Sequence, residues 1–309
     1  MEIADLSIST DITLEGYDLQ DIKDFPGDWE NDDNCFATIV DEVVIKHFKN
    51  SCNALLPLLK DIKIVDITIA VFIIGMSAGE AGYYPGYSNS EKGLFFFYIS
   101  PDILAEYLHQ HWNPEVQLSK FVQFLWEHEI IHMLDQKNLA EFNYRKEGAS
   151  IEEFLLNYFL SFRNEGIADL YSFVNNYRKI EGIDEAHRRF EEEMEKLGKL
   201  PWEDMDRIKE NEKQFIKSSA YYAIGPWMVL HTLCCEENPN YNRDIAELCQ
   251  QVIRKENIGE ENCIRLIQSA LEIDNKTFLK CIRRQGLDAK VFIEGELLDQ
   301  ALPCGFPVV

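Results

Sequence analysis

His128 and His132 stand four residues apart in Trp126-Glu127-His128-Glu129-Ile130-Ile131-His132, with Glu129 beside the first. On a helix, positions i and i+4 share a face, so both imidazoles can meet one ion. Glu129 points off that axis, where a carboxylate can sit beside a metal-bound water. Two nitrogen donors and an adjacent base at this spacing are what a metal-dependent hydrolase needs. The competing reading is a pair of core histidines satisfied by backbone groups or carboxylates.

Residues 118–137 read as a single helix that must carry this motif. Phe121, Leu125, His128 and His132 fall along one stripe; Phe124, Ile131 and Leu134 form a second, apolar one. A helix apolar on most sides is a buried helix. Histidines on a buried helix need partners, because an unpaired buried polar group is costly.

Two histidines do not complete a catalytic zinc site, which usually has three protein ligands and a water. The third should come from a helix packed across the first. Residues 151–180 are strongly helical, with Phe154, Leu155, Tyr158, Phe162, Ile167, Leu170, Tyr171 and Val174 apolar, and contain Asn164-Glu165-Gly166-Ile167-Ala168-Asp169. Glu165 and Asp169 are four apart and share a face with Phe162 and Tyr158, so that face points inward. Two inward carboxylates need partners. Glu165 is expected to bind the metal and Asp169 to accept the free N–H of a ligand histidine. The alternative is an ion pair with Arg163 or Arg178 on a solvated face.

His-Glu-Ile-Ile-His followed by Asn164-Glu165 and Asp169 resembles the gluzincin metallopeptidases, whose signature is H-E-x-x-H followed by N-E-x-x-x-D. The E-G-x-A-D form looks most like small zinc-dependent proteases inferred in bacteria and archaea. The resemblance covers about residues 118 to 175. It implies His128, His132 and Glu165 as zinc ligands, Glu129 as general base, Asp169 orienting His128, and Asn164 supporting the site around His132. One Zn2+ per chain is the implied cofactor. Members of the family also stabilise the oxyanion with a tyrosine or histidine from the helical lobe. The Tyr-x-x-Gly segment ending at Gly225 makes Tyr222 the first choice and Tyr221 the second; His231, in an apolar helix, is weaker. In the family an edge strand ahead of the zinc helix pairs with the bound peptide. By position, residues 93–99 resemble that strand, which makes Phe95, Phe96 and Phe97 the expected substrate-binding residues. A core strand is the alternative.

The elements that must position these residues suggest an α+β fold, and the resemblance implies that it is zincin-like. Residues 36–59 look like an amphipathic helix, 63–75 a β-rich run, 79–90 a loop, 93–99 a strand and 101–111 a helix. Beyond 138 the pattern is almost all helical, over 150–181, 184–198, 202–217, 226–236, 241–256, 259–272 and 275–285. A small N-terminal α/β lobe, 1–140, would carry the His128 helix, and a mostly helical C-terminal lobe, 141–309, would carry Glu165. The metal would lie in the cleft between them, making one catalytic unit.

The 309 residues are 46% hydrophobic, so the chain can bury a large core, and its net charge is −24. That charge argues against nucleic acid, which needs a basic face, and against anionic membrane surfaces. The first residues lack a basic start and apolar run, and no stretch reaches membrane-spanning length. The eight cysteines include no C-x-x-C pair, so a reduced, cytoplasmic protein is expected. The reading is therefore a zinc-dependent peptidase acting on a peptide or protein. A metallohydrolase of a non-peptide amide and a catalytically silent partner-binding scaffold are the alternatives. Retention of Glu129 speaks against the scaffold, because a structural site has no need of a general base.

Overall fold

Ile8, Ile12 and Leu14 fall on one parity of Ser7–Leu14, the period of two that a strand imposes, and the segment forms strand β1. A computed structural model of the protein describes residues 7–14, 44–59, 66–73, 80–83, 92–99, 114–140, 151–174, 220–254 and 256–284. Within them the chain is α+β, mostly helical with one small sheet. It divides into two compact units, residues 1–136 and 137–309. The helices expected at 101–111, 184–198 and 202–217 lie outside the described residues. No described helix is long and apolar enough to cross a membrane.

In the first unit, β1 is joined by β2 (Asp66–Ile73), β3 (Glu80–Tyr83) and β4 (Lys92–Ile99) in the order β1-β2-β4-β3. β1 runs parallel to β2 and β2 parallel to β4, each over eight residues, while β3 is antiparallel to β4. Two expectations change here. Residues 79–90 contain a strand, because pairing with β4 gives Glu80–Tyr83 its hydrogen bonds despite a weak intrinsic preference. And β4 is an interior strand: β2 takes one side along its whole length, and β3 takes the other from Phe95 to Tyr98.

Helix α1 (Lys46–Ala54) turns at Leu55 into the short α2 (Leu56–Leu59). Pro57 explains the break: lacking an N–H, it fits only the first turn of a new helix. Pro114 likewise starts α3, Pro114–Leu134, which carries His128 and His132. Three rings fix α3. Trp126 packs edge-on against Phe48 at 5.1 Å and Phe95 at 6.1 Å, and Phe48 meets Phe95 at 5.3 Å. Each such pair contributes about 0.5–1.5 kcal/mol beyond its buried area. The Trp126 indole also donates to Val44 O at 3.2 Å, and Ser51 Oγ to Gln123 O at 3.1 Å, so α1 is pinned to α3. After a turn at Asp135, α4 (Gln136–Ala140) follows.

In the second unit, α5 (Ile151–Ala168) passes through Asp169 into α6 (Leu170–Val174) with helical bonding unbroken. Asp169 N–H donates to Glu165 O at 2.9 Å, and Phe173 N–H to Asp169 O at 2.8 Å. α7 runs from Ala220 to Leu233, so the helix expected to begin at 226 starts a turn and a half earlier, with Pro226 inside it. The reason is a close helix crossing. A Cβ on Gly225 would lie 2.6 Å from Phe162 O and 2.8 Å from Gly166 Cα, and one on Gly166 would lie 2.3 Å from the Gly225 carbonyl carbon. Only glycine at both positions lets α5 and α7 touch backbone to backbone. That packing holds α7 together across its proline.

α8 (Arg243–Ile253), α9 (Glu260–Leu271) and α10 (Asn275–Arg284) complete the unit close to their expected limits. Asn242 Oδ1 accepts from Asp244 and Ile245 N–H at 2.8 and 3.4 Å, and Asp274 accepts from Thr277 N–H at 2.7 Å. These are side-chain N-caps that the sequence announces.

Candidate metal centre

Trp126, Ile130 and Met133 form the face of α3 that is buried in the first unit. At 100° per residue, His128 lies about 200° round the helix from Trp126, and His132 joins it one turn on. Seating the Trp126 face therefore aims both histidines away from the aromatic cluster. Their Nε2 atoms lie 2.9 Å apart, with the rings 84° from coplanar. Glu129 Oε1 sits 3.9 Å from His128 Nε2. His128 and Glu129 are each 7% exposed.

Glu165, on α5, is half-buried. One nitrogen of each histidine and one carboxylate oxygen of Glu165 lie within 4.8 Å of one another. No other group of three His, Cys, Asp or Glu side chains converges in this way among the described residues. Two imidazoles and a carboxylate form a donor set suited to a divalent cation with a position left open. The residues present therefore fit a metal ion.

The residues beside Glu165 are buried too, which removes the solvated-face alternative. Asp169 is 1% exposed, and Arg163 is fully buried. Arg163 Nε donates to Ile273 O at 2.9 Å, its Nη2 donates to the same oxygen, and its Nη1 donates to Asn164 Oδ1 at 2.9 Å. One guanidinium thus caps the chain after α9 and holds the side chain next to Glu165. Asn164 Nδ2 is buried with no hydrogen-bond partner. Such an orphan donor is rare in a native interior and calls for an acceptor.

Glu127 was not singled out by its sequence pattern. It is 1% exposed, and burial pushes its carboxyl up to about 7, against the opposing effect of the Gln123 amide. Gln123 Nε2 donates to Glu127 Oε1 at 2.8 Å, while Oε2 has no partner. The available signal was the Gln123–Glu127 spacing of four on a helix apolar nearly all round.

The expected substrate-binding residues do not hold up as a set. Phe95 is fully buried in the Trp126–Phe48 cluster, and β4 has no free edge over residues 95–98, so neither the ring nor the strand is open to an extended peptide. The core-strand alternative prevails. The side chains of Phe96 and Phe97 lie outside the described residues, as do those of Tyr221 and Tyr222. The backbone of Tyr222 is in α7, three residues before the Gly225 crossing onto α5. His231 packs on Trp227, with ring centroids 4.5 Å apart. Compared with known proteins, the chain matches no family model, no curated protein and no solved structure.

Proposed function

We propose that this protein is a zinc-dependent peptidase of gluzincin type on a zincin-like fold. The observation that carries the reading is the convergence of His128, His132 and Glu165 donors within 4.8 Å, with the Glu129 carboxylate 3.9 Å from His128 Nε2. Zinc bound by these three residues would polarise a scissile carbonyl and bring a bound water's pKa toward ~7. Glu129 would serve as the general base, holding the attacking water's proton and delivering it to the leaving amine. Its low exposure keeps bulk water from competing for the proton. Asp169 orients His128 through the imidazole N–H, and Asn164 supports the site around His132. Tyr222 is the proposed donor to the oxyanion.

The strand that pairs with substrate moves from β4 to β3 in this reading. Glu80–Tyr83 pairs with β4 on one side, is the last strand in the sheet order among the described residues, and packs against α3. Backbone pairing along β3 would hold a peptide or protein segment without reading its side chains. A cytoplasmic location accompanies the reading, and none of the six described cysteines is joined in a disulfide.

The test is metal content and cleavage together. Protein purified with zinc present should hold about one equivalent, held by its three protein ligands. It should cleave an unstructured peptide mixture and stop when a chelator strips the metal. Glu165→Ala should weaken metal binding sharply. Protein that holds far less than one equivalent, or cleavage that survives chelation, would overturn the reading.

A further inference from the structure

A pair of thiols lies where α7 meets α8. Cys234 ends α7 and is half-buried, while Cys249, on α8, is fully buried. Cys234 Sγ lies 3.7 Å from Ala246 O, and Gln250 Nε2 donates to the same sulfur at 3.7 Å. Ala246, Cys249 and Gln250 are three and four residues apart, so they share one face of α8. That face brings Cys249 within interaction range of Cys234. The geometry points to Cys234 and Cys249 as a redox-active dithiol, a modification site at which a peroxide generates a disulfide joining the end of α7 to α8.

The two sulfurs have distinct roles. The hydrogen bond from Cys249 lowers the Cys234 pKa, with the Gln250 amide helping and burial opposing. The same bond, together with burial, raises that of Cys249. Cys234 is thus the reachable sulfur and Cys249 the one buried behind it, the arrangement of an attacking and a resolving cysteine. The Cys234 thiolate attacks one peroxide oxygen. An S–O bond forms, the O–O bond breaks, and hydroxide leaves. The Cys249 sulfur then attacks the Cys234 sulfenic acid. The S–S bond forms, the S–O bond breaks, and the oxygen departs as water with the Cys249 proton. Two thiols lose two electrons in total, and the peroxide becomes two waters.

A second pair supplies an internal control. Cys235 and Cys281 also interact, but both are buried, and burial followed by the neighbouring Cys235 pushes Cys281 up to about 12. Burial denies an oxidant access there. The site does not depend on the metal centre, so its test reads no hydrolysis.

The full-length protein is treated with one equivalent of hydrogen peroxide, alkylated, digested and mapped by mass spectrometry. The expected product is a Cys234–Cys249 cross-linked peptide, two hydrogens lighter and restored by a dithiol reductant, with Cys235 and Cys281 alkylated as thiols. Cys249→Ser should leave a Cys234 sulfenic acid that dimedone traps, and Cys234→Ser should protect Cys249. Stepwise over-oxidation of Cys234 without a cross-link, equal oxidation of all four cysteines, or a cross-link to another partner would each overturn the assignment.

Discussion

Helices α3 and α5 differ from α8, α9 and α10 in where their polar side chains go. In α9, Cys263, Ile264, Leu266, Ile267 and Ala270 are buried, while Glu260, Glu261, Arg265 and Gln268 face water. Such helices obey the simple amphipathic rule: charge outside, apolar stripe inside. In α3, Glu127, His128 and Glu129 are buried in a row, between Trp126 and Ile130, which are fully buried. In α5, Ser161, Arg163 and Asn164 are buried alongside Phe162. A charged group on α9 is hydrated whatever its neighbours do. On α3 and α5 each one must be matched by a bond or an ion, and the cost of a mismatch is large. That contrast separates a scaffold from a site without any reference to sequence similarity.

If the contrast is correct, carboxamide substitution should matter greatly on α3 and hardly at all on α9. Glu129→Gln should retain metal and lose roughly 10²- to 10⁴-fold in peptide hydrolysis, the usual weight of a general base. Glu260→Gln, exposed in the first turn of α9, should leave the rate unchanged. Equal rates for wild type and the Glu129 variant would erase the distinction between the two helices.

Next in size is the anchor of the site helix. Trp126→Ala removes the centre of the Phe48–Phe95–Trp126 cluster and should cost about 3–5 kcal/mol in urea unfolding. A loss below about 1 kcal/mol would mean that α3 is held by something other than its aromatic face. The glycine crossing comes third. Gly225→Ala places a Cβ 2.6 Å from Phe162 O, against backbone that cannot swing aside. Overpacking of this kind costs about 1–3 kcal/mol, read as a lower urea midpoint, whereas an unchanged midpoint would show that α5 and α7 are not in backbone contact. The smallest effect belongs to the amphipathic set. Asn242→Ala deletes the cap of α8 and should cost about 1 kcal/mol in the same assay, with metal binding untouched. Metal loss in that variant would mean that α8 supports the site after all.

The C-terminal helices were legible because their order is local. Asn242 and Asp274 announce their starts, and apolar spacing fixes their inner faces. The local pattern starts a helix at 226, whereas the contact with Gly166 makes Gly225 an interior crossing of a helix that begins at Ala220. The local pattern of residues 79–90 is that of a loop, because the partner that makes Glu80–Tyr83 a strand is Phe95–Tyr98 on β4, beyond any local window. The edge assigned to residues 93–99 failed for a related reason. Strand order depends on long-range pairing, and a run of β-prone residues does not say how many neighbours it will have.

The sequence by itself determined the donors and their spacing: His128 and His132 one helical turn apart, Glu129 beside them, and Glu165 and Asp169 one turn apart on a later helix. Helical periodicity is enough for that, since residues within about a turn are neighbours in any fold that keeps the helix. Tertiary structure alone decided that Glu165 meets both imidazoles, that Arg163 is a buried clamp rather than a surface charge, and that Phe95 belongs to the core. Each of these joins residues tens of positions or more apart. Such contacts exist only once burial has selected one packing, and no local preference encodes them.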